Sequence, residues 1–369
     1  MQGDFEDWIA GFRDRALAAG IGASVLDRSL VDVQPDPQVI TRDRNQTEVV
    51  LTPGAYLARV VSEARIEAGR AALVERRELL ARIGAAYGVP PEVLVAIWGI
   101  ESSYGTNRGH CPVIAALVTL AHDGRRAALF ERELLAALRV IETGEVAPEA
   151  MRGSWAGAMG HTQFMPSSWL AHAVDFDGDG RRDIWGDDPT DALASAAAYL
   201  AKHGWRTDQP WGQEVVLPGG YTHEDDGQAL PLADWSNAGV RPVEGRTLSD
   251  ETEAELFLPA GAAGPAFLRF ANFDVLRLYN ASDSYVLAVG HLADRIAGRA
   301  PIHAIWPEGR ALTRDEWMAL QRGLAQAGFD PGTADGIPGP QTRRALRAFQ
   351  RSIGLAADDH ATPDLLALL

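Results

Sequence analysis

Apolar residues recur every three to four positions through residues 4–20 and 54–143, most plainly over 56–74 and 127–141, with Ala, Leu, Arg and Glu abundant. That spacing lays an apolar stripe along one face of a helix, so both stretches are expected to be helical. Residues 190–203 predict another helix, closed by Gly204. From about 205 to about 275 the pattern changes to Pro, Gly and Trp with short strand-like runs at 214–217, 255–258 and 267–270, which reads as a small β-rich insert. Helix resumes over 285–296. Gly298, Pro301, Pro307 and Gly309 mark a linker over 298–312. In the remaining unit, Leu320-Gln321-Arg322-Gly323-Leu324 leads to Gly328-Phe329, and Leu346-Arg347-Ala348-Phe349-Gln350 leads to Gly354-Leu355. Between them Asp335-Gly336-Ile337-Pro338-Gly339-Pro340 makes a turn into a new helix. Three short helices around a small core are expected there, and the chain as a whole is expected to be mainly α.

The run Pro90-Pro91-Glu92-Val93-Leu94-Val95-Ala96-Ile97-Trp98-Gly99-Ile100-Glu101-Ser102-Ser103-Tyr104-Gly105 is the most informative. The two prolines suit a first helical turn, whose N–H groups have no partner in any case. The following residues are apolar enough for a buried helix that ends on Glu101 and is stopped by Gly105. A carboxylate at the mouth of such a helix is partly desolvated, which raises its pKa toward the range of a general acid. The plain alternative is a surface Glu at a helix end.

Composition narrows the classes. Hydrophobic residues are 46% and charged residues 23% of the 369, as in ordinary globular chains. A net charge of -16 disfavours nucleic acid as a partner, because phosphates need a concentrated basic face. No run of 18 apolar residues indicates a membrane span. The opening Met1-Gln2-Gly3-Asp4-Phe5-Glu6 is polar and is not a signal peptide, so the protein is either cytoplasmic or shorn of an export leader. The single Cys111 excludes an intrachain disulfide, and it reads as a small buried hydrophobe rather than a nucleophile paired with His110.

Three further segments carry candidate chemistry. In Gly153-Ser154-Trp155-Ala156-Gly157-Ala158-Met159-Gly160-His161-Thr162-Gln163-Phe164-Met165-Pro166, small residues allow close backbone approach. Ser154 and Gln163 are the short polar groups that a sugar cleft would use. His161 reads as a loop residue. In Asp175-Phe176-Asp177-Gly178-Asp179-Gly180-Arg181, carboxylates at positions 1, 3 and 5 with Gly at 6 match the start of an EF-hand loop, and the Arg181 carbonyl would supply position 7. Gly186 stands where that motif has its bidentate Glu, leaving Asp187, Asp188 and Asp191 as replacements. In Leu278-Tyr279-Asn280-Ala281-Ser282-Asp283-Ser284-Tyr285, two tyrosines and an amide at a helix start suit carbohydrate.

Taken together, Glu-Ser-Ser-Tyr-Gly, the Gly-Ala-Met-Gly…Gln-Phe-Met-Pro run, the Asp-rich loop and Tyr-Asn-Ala-Ser-Asp-Ser-Tyr occur here in the order of the membrane-bound lytic transglycosylase B family, and residues 4–300 resemble it. The C-terminal unit resembles a three-helix peptidoglycan-binding domain. The resemblance implies a goose-lysozyme-like helical catalytic domain over 1–204 and 276–300, a β-rich insert over 205–275, a linker over 301–312 and a peptidoglycan-binding domain over 313–369. It implies non-hydrolytic cleavage of the β-1,4 bond between N-acetylmuramic acid and N-acetylglucosamine, giving 1,6-anhydromuramoyl ends. Glu101 matches the catalytic acid and base. Tyr56, Ser154, Gln163, Phe164, Tyr279, Asn280 and Tyr285 match substrate-binding positions. Asp175, Asp177, Asp179, Arg181 and Asp191 match the metal loop, which leaves room for a structural Ca2+; catalysis itself needs no cofactor. Peptidoglycan strands are the implied partner and the periplasm the implied location, with any cell-wall synthesis or division protein left open. A muramidase hydrolysing the same bond and a non-catalytic wall-binding protein are the alternatives.

Overall fold

The computed structural model describes residues 2–44, 51–219, 221, 227–244, 248–358 and 360–369; Met1 and parts of the expected insert lie outside them. The chain forms two compact units. One comprises Met1–Gln46 with Glu67–His203, the other Thr47–Ile66 with Gly204–Leu369.

The first unit is helical. Pro91–Ser102 begins with Pro90 as N-cap and Pro91 inside the first turn, as expected. Val93 through Gly99 are all buried, and each such aliphatic side chain contributes about 1.5–3 kcal/mol relative to leaving it in water. The helix stops earlier than Gly105. Ser103 (φ 49°) and Tyr104 (φ 58°) both take the left-handed conformation, and Ser103 N–H donates to Gly99 O. Gly99 makes this reversal fit, since a Cβ there would lie 2.6 Å from the Tyr104 ring that folds back over it.

Val113–Asp123 and Ala127–Glu142 pack on each other, and Pro166–His172 packs on the latter. The buried Glu133 accepts from both the N–H (3.0 Å) and the hydroxyl (2.8 Å) of Ser167, capping the start of that last helix. A short antiparallel ribbon pairs Cys111 with Gly153 and Pro112 with Arg152. Cys111 is therefore a half-buried edge residue, not the core hydrophobe expected, because strand pairing holds its backbone at the rim. At this ribbon the backbones come very close. A Cβ on Gly109 would lie 2.1 Å from Gly153 O, and one on Gly153 2.1 Å from Ala158 O.

The periodic stretch 56–74 is two helices, Pro53–Val60 and Glu63–Glu75. Val61 leaves helical geometry (ψ 70°) and the Ser62 hydroxyl accepts from Arg65 N–H to start the second.

Among its described residues the second unit contains a five-stranded antiparallel sheet. Its central strands are Gly212–Val216, Glu253–Phe257 and Ala266–Arg269, and Trp235, Val215, Leu268 and Phe270 form its core. Helices Ala271–Tyr279 and Asp283–Ile296 follow, and Pro53–Val60 packs on the second of them. The C-terminal part is three helices, Arg314–Gln326, Pro340–Ser352 and Pro363–Leu366, around Leu320, Leu324, Leu346 and Phe349. Thr313 and Glu316 form a capping box. Gln321, 1% exposed, holds the Asp335–Ile337 turn by donating to Ile337 O and accepting from Gly336 N–H.

Two predictions arise from these contacts. Gly153→Ala forces backbone apart and is expected to cost about 2–3 kcal/mol, whereas Gly124→Ala, left-handed but facing open space, costs about 1 kcal/mol; urea unfolding measures both, and equal losses would contradict the packing argument. Burial pushes His172 down to about 4, with the charges of His203 and Lys202 adding to it, and burial pushes His291 down to about 4 with Arg295 acting the same way. The unfolded chain takes up these protons near pH 6.5, whereas the folded chain refuses them until about 4. Their contribution is therefore complete above the unfolded value and is lost as pH falls from it toward about 4. Thermal melts across that window are expected to show falling stability, and His291→Gln to reduce the proton uptake on unfolding by up to about one.

Candidate active site

Glu101 sits half-buried in the last turn of Pro91–Ser102, between the buried Trp98 and Ser102. The chain beyond it is pinned. Ser102 Oγ donates to His161 O (2.6 Å) and accepts from Gly105 N–H (3.0 Å), and Asn107 N–H donates to Ser102 O (2.9 Å). The left-handed pair Ser103–Tyr104 begins two residues after Glu101, immediately beyond Ser102, so the carboxylate projects from a helix end whose exit is fixed.

The Gly-rich segment supplies what this pinning needs and the groups expected around it. Ser154 Oγ accepts from Ala156 N–H (3.3 Å) and Ala158 N–H (3.1 Å). Its lone pairs are thus taken, and the hydroxyl is oriented as a donor. Gln163 is left-handed (φ 52°), and its amide nitrogen donates to Arg108 O (3.2 Å) and Gly160 O (2.8 Å). That leaves the carboxamide oxygen as its accepting group. Phe164 is only 2% exposed; its backbone pairs with Met159 and its ring lies 6.0 Å from Tyr199. It supports the loop from below rather than offering a ring face. The structure therefore bonds Gln163 and His161 to the segment following Glu101, while Ser154 closes its own turn in the same Gly-rich run.

His161 was expected to be an ordinary loop residue. It is 2% exposed, accepts at Nδ1 from Trp98 Nε1–H (3.0 Å) and meets Gly186 O with Nε2 (2.8 Å). Burial pushes its pKa below the usual imidazole range, outweighing the hydrogen bond to Gly186. Arg108 donates to Gly186 O and pairs with Asp187 (3.0 Å). No periodicity marks these residues; the available signal is a His and a Trp inside otherwise small or apolar motif runs.

In the Asp-rich loop, single oxygens of Asp175, Asp177 and Asp179 lie within 4.8 Å of one another, all exposed. Asp175 accepts from Gly178, Asp179 and Gly180 N–H, folding the loop around its carboxylate. Asp191 is buried at 3% and accepts from Phe176 N–H (2.8 Å) and Asp183 N–H (2.9 Å). Burial raises its pKa, and the carboxylates of Asp177 and Asp175 push the same way. Of the other two replacements, Asp188 caps Thr190 and Asp187 pairs with Arg108. An all-carboxylate set of this kind suits a hard cation, whose charge would relieve the repulsion on Asp191.

The remaining candidates belong to the second unit. Tyr56 lies on Pro53–Val60, which Thr52 caps by accepting from Ala55 N–H. Tyr279 ends one helix, Asn280 bridges to the next by accepting from Ser282 N–H (3.1 Å), and Tyr285 lies in the first turn of Asp283–Ile296. The motif is thus a joint between two helices rather than a helix start. Tyr285 is 3% exposed, so its ring packs in the core, while Tyr279 and Asn280 are half-buried.

Comparison with known proteins identifies the family. Residues 4–294 match the family described as transglycosylase SLT domain, and residues 313–369 match a peptidoglycan binding domain. The chain is similar to membrane-bound lytic murein transglycosylase B of Escherichia coli (strain K12), at 34% identity over 249 residues, covering 66% of this chain and 66% of that protein. It is similar to the crystal structure of SltB3 from Pseudomonas aeruginosa in complex with NAG-anhNAM-pentapeptide, with TM-score 0.94 and 46% identity over 99% of this chain and 98% of that one. The Escherichia coli lytic transglycosylase Slt35 in complex with calcium gives TM-score 0.68 and 29% identity over 78% and 92%. The chain belongs to the SLT transglycosylase family, and is a lytic transglycosylase of peptidoglycan with a C-terminal peptidoglycan-binding domain.

Proposed function

We propose that Glu101 carries both proton transfers of a non-hydrolytic cleavage between N-acetylmuramic acid and N-acetylglucosamine. The observation that carries this reading is its position: a carboxylate, half-buried, in the last turn of a buried apolar helix. Neither 102–112 nor 153–166 holds a second Asp or Glu, whereas an ordinary glycosidase uses two carboxyl groups. Protonated Glu101 gives its proton to the glycosidic oxygen as the bond to C1 breaks. The substrate's own acetamido oxygen closes on C1 and holds the positive charge. Glu101, now ionised, takes the proton from the C6 hydroxyl while O6 attacks C1 and displaces the acetamido oxygen. No water enters, and Glu101 ends protonated. A partly desolvated setting favours that resting state.

The sugars that SltB3 holds in its crystal structures are the substrate class proposed here. Ser154 would donate to a sugar oxygen, Gln163 would accept through its carboxamide oxygen, and Tyr56, Tyr279 and Asn280 would bind sugar, with Phe164 and Tyr285 acting by support. In this reading 1–204 with 276–300 is catalytic, 205–275 is an insert, 301–312 a linker and 313–369 the wall anchor. Peptidoglycan lies outside the cytoplasmic membrane, which puts the site of action in the periplasm. Asp175, Asp177, Asp179, the Arg181 carbonyl and Asp191 are proposed to hold a structural Ca2+, supported by the all-oxygen donor set and by the calcium in the Slt35 structure.

Glu101→Gln is expected to lower turnover on purified peptidoglycan by on the order of 10^3-fold, while sedimentation with the wall is unchanged; retained cleavage removes Glu101 from the role. Mass spectrometry of wild-type products should show muropeptides lighter than the hydrolytic product by one water, and reducing ends with water added would make the enzyme a muramidase. For the metal loop, Ca2+ at 100-fold over its dissociation constant is expected to stabilise the fold by about 2.7 kcal/mol relative to chelator. Asp177→Ala should abolish that shift, and a melting temperature indifferent to Ca2+ in the wild type would refute the site.

A further inference from the structure

The buried His161 is not used by the mechanism above, yet it touches both neighbours of Glu101 in the helix end. Its ring accepts from the Trp98 indole N–H (3.0 Å), three residues before Glu101, and its carbonyl accepts from the hydroxyl of Ser102 (2.6 Å), the residue after. An indole N–H can only donate, so Nδ1 is the acceptor and a neutral ring carries its proton on Nε2, which lies near both Gly186 O and Arg108 Nη1 (3.2 Å), of which only the carbonyl can accept it. That proton faces Gly186 O at 2.8 Å. The backbone N–H of His161 donates to Ile184 O (3.1 Å). One side chain and its own peptide groups thus tie the end of Pro91–Ser102 to the 184–186 strand of loop, with every polar atom of the ring engaged.

The surroundings leave the ring little freedom. A Cβ on Gly105 would lie 2.5 Å from it, and the Trp98 ring crosses it at 63° with centroids 5.8 Å apart. Gly105 therefore has to be glycine for two reasons, its left-handed φ of 82° and the imidazole beside it. Burial favours the neutral ring, which is the only form that can accept from Trp98.

We infer that His161 is a positioning residue for Glu101, which as a neutral Nε2–H tautomer fixes the helix end carrying the carboxylate through Trp98 and Ser102. This rests on the catalytic reading of Glu101. His161 does not exchange protons with the substrate; it sets the direction from which Glu101 reaches the glycosidic oxygen, where a displacement of about 1 Å is enough to lose on the order of 100-fold in rate.

The test uses the full chain and soluble strands of alternating N-acetylglucosamine and N-acetylmuramic acid. His161→Leu removes both ring contacts and is expected to lower kcat by roughly 10- to 100-fold with KM within about twofold. His161→Gln keeps one acceptor and one donor at similar spacing, and should recover most of kcat with an unchanged pH profile. Trp98→Phe removes the indole donor while keeping an aromatic ring in place, and is expected to lower kcat in the same direction. It also covers the case in which His161→Leu does not fold. In the double variant the two losses should not add. Wild-type kcat in a folded His161→Leu or in Trp98→Phe overturns the inference. So does a loss in His161→Gln equal to that in His161→Leu with one limb of the pH profile gone, since that would make His161 a proton carrier. Glu101→Gln, assayed alongside, separates the two claims: if it is inactive while the His161 variants are wild-type, only the positioning role fails, and if it is active the catalytic reading fails first.

Discussion

Two stretches of backbone in the first unit approach so closely that only glycine fits between them. Gly109 faces Gly153, and Gly153 faces Ala158 O, each with room for hydrogen and none for a methyl group. This contact lets the chain after Glu101 run beside the Gly-rich segment, pairing Cys111 with Gly153 and placing Gln163 under Arg108 O. Without it, Ser102 would not reach His161 O, and the reversal at Ser103 and Tyr104 would have nothing to lean on. Left-handed geometry at two consecutive non-glycine residues costs about 1–2 kcal/mol each. It persists because hydrogen bonds from Ser103 N–H, Gly105 N–H and Asn107 N–H and the Tyr104 ring over Gly99 all require it. The strain lies beside the proposed catalytic carboxylate, where a stiff backbone serves a proton transfer that needs fixed geometry.

Asp191 does for the Asp-rich loop what His161 does for the helix end. It is a buried polar group that accepts from two backbone N–H groups on separate stretches, Phe176 and Asp183. Asp183 in turn accepts from Trp185 and Gly186 N–H, and Gly186 O receives His161. Loop and helix end are thus connected by consecutive hydrogen bonds. Such networks specify one arrangement well when every member is satisfied.

The C-terminal helices follow simpler rules. A capping box starts the first, Pro340 the second and Thr362 the third. A single buried glutamine secures the intervening turn. Little there depends on distant residues, which is why its outline was readable from the spacing of Leu, Phe and Gly alone.

Much of the candidate site was legible in the sequence because its signals are local. Pro90-Pro91 and the apolar run predict a buried helix ending on Glu101, and the alternating aspartates predict a loop closed on carboxylates. Both depend on neighbours within a few residues. The break at Val61–Ser62, the burial of Phe164 and Tyr285, the half-exposed Cys111 and the burial of His161 depend on what lies opposite each residue, which spacing along the chain does not encode. By itself the sequence determined the helices, the turn chemistry, the family and the residue types available for proton transfer and metal binding. Only the tertiary structure decided which of those residues share a network, because hydrogen bonds such as Trp98 to His161 join positions 63 apart along the chain and form only once the backbones have met.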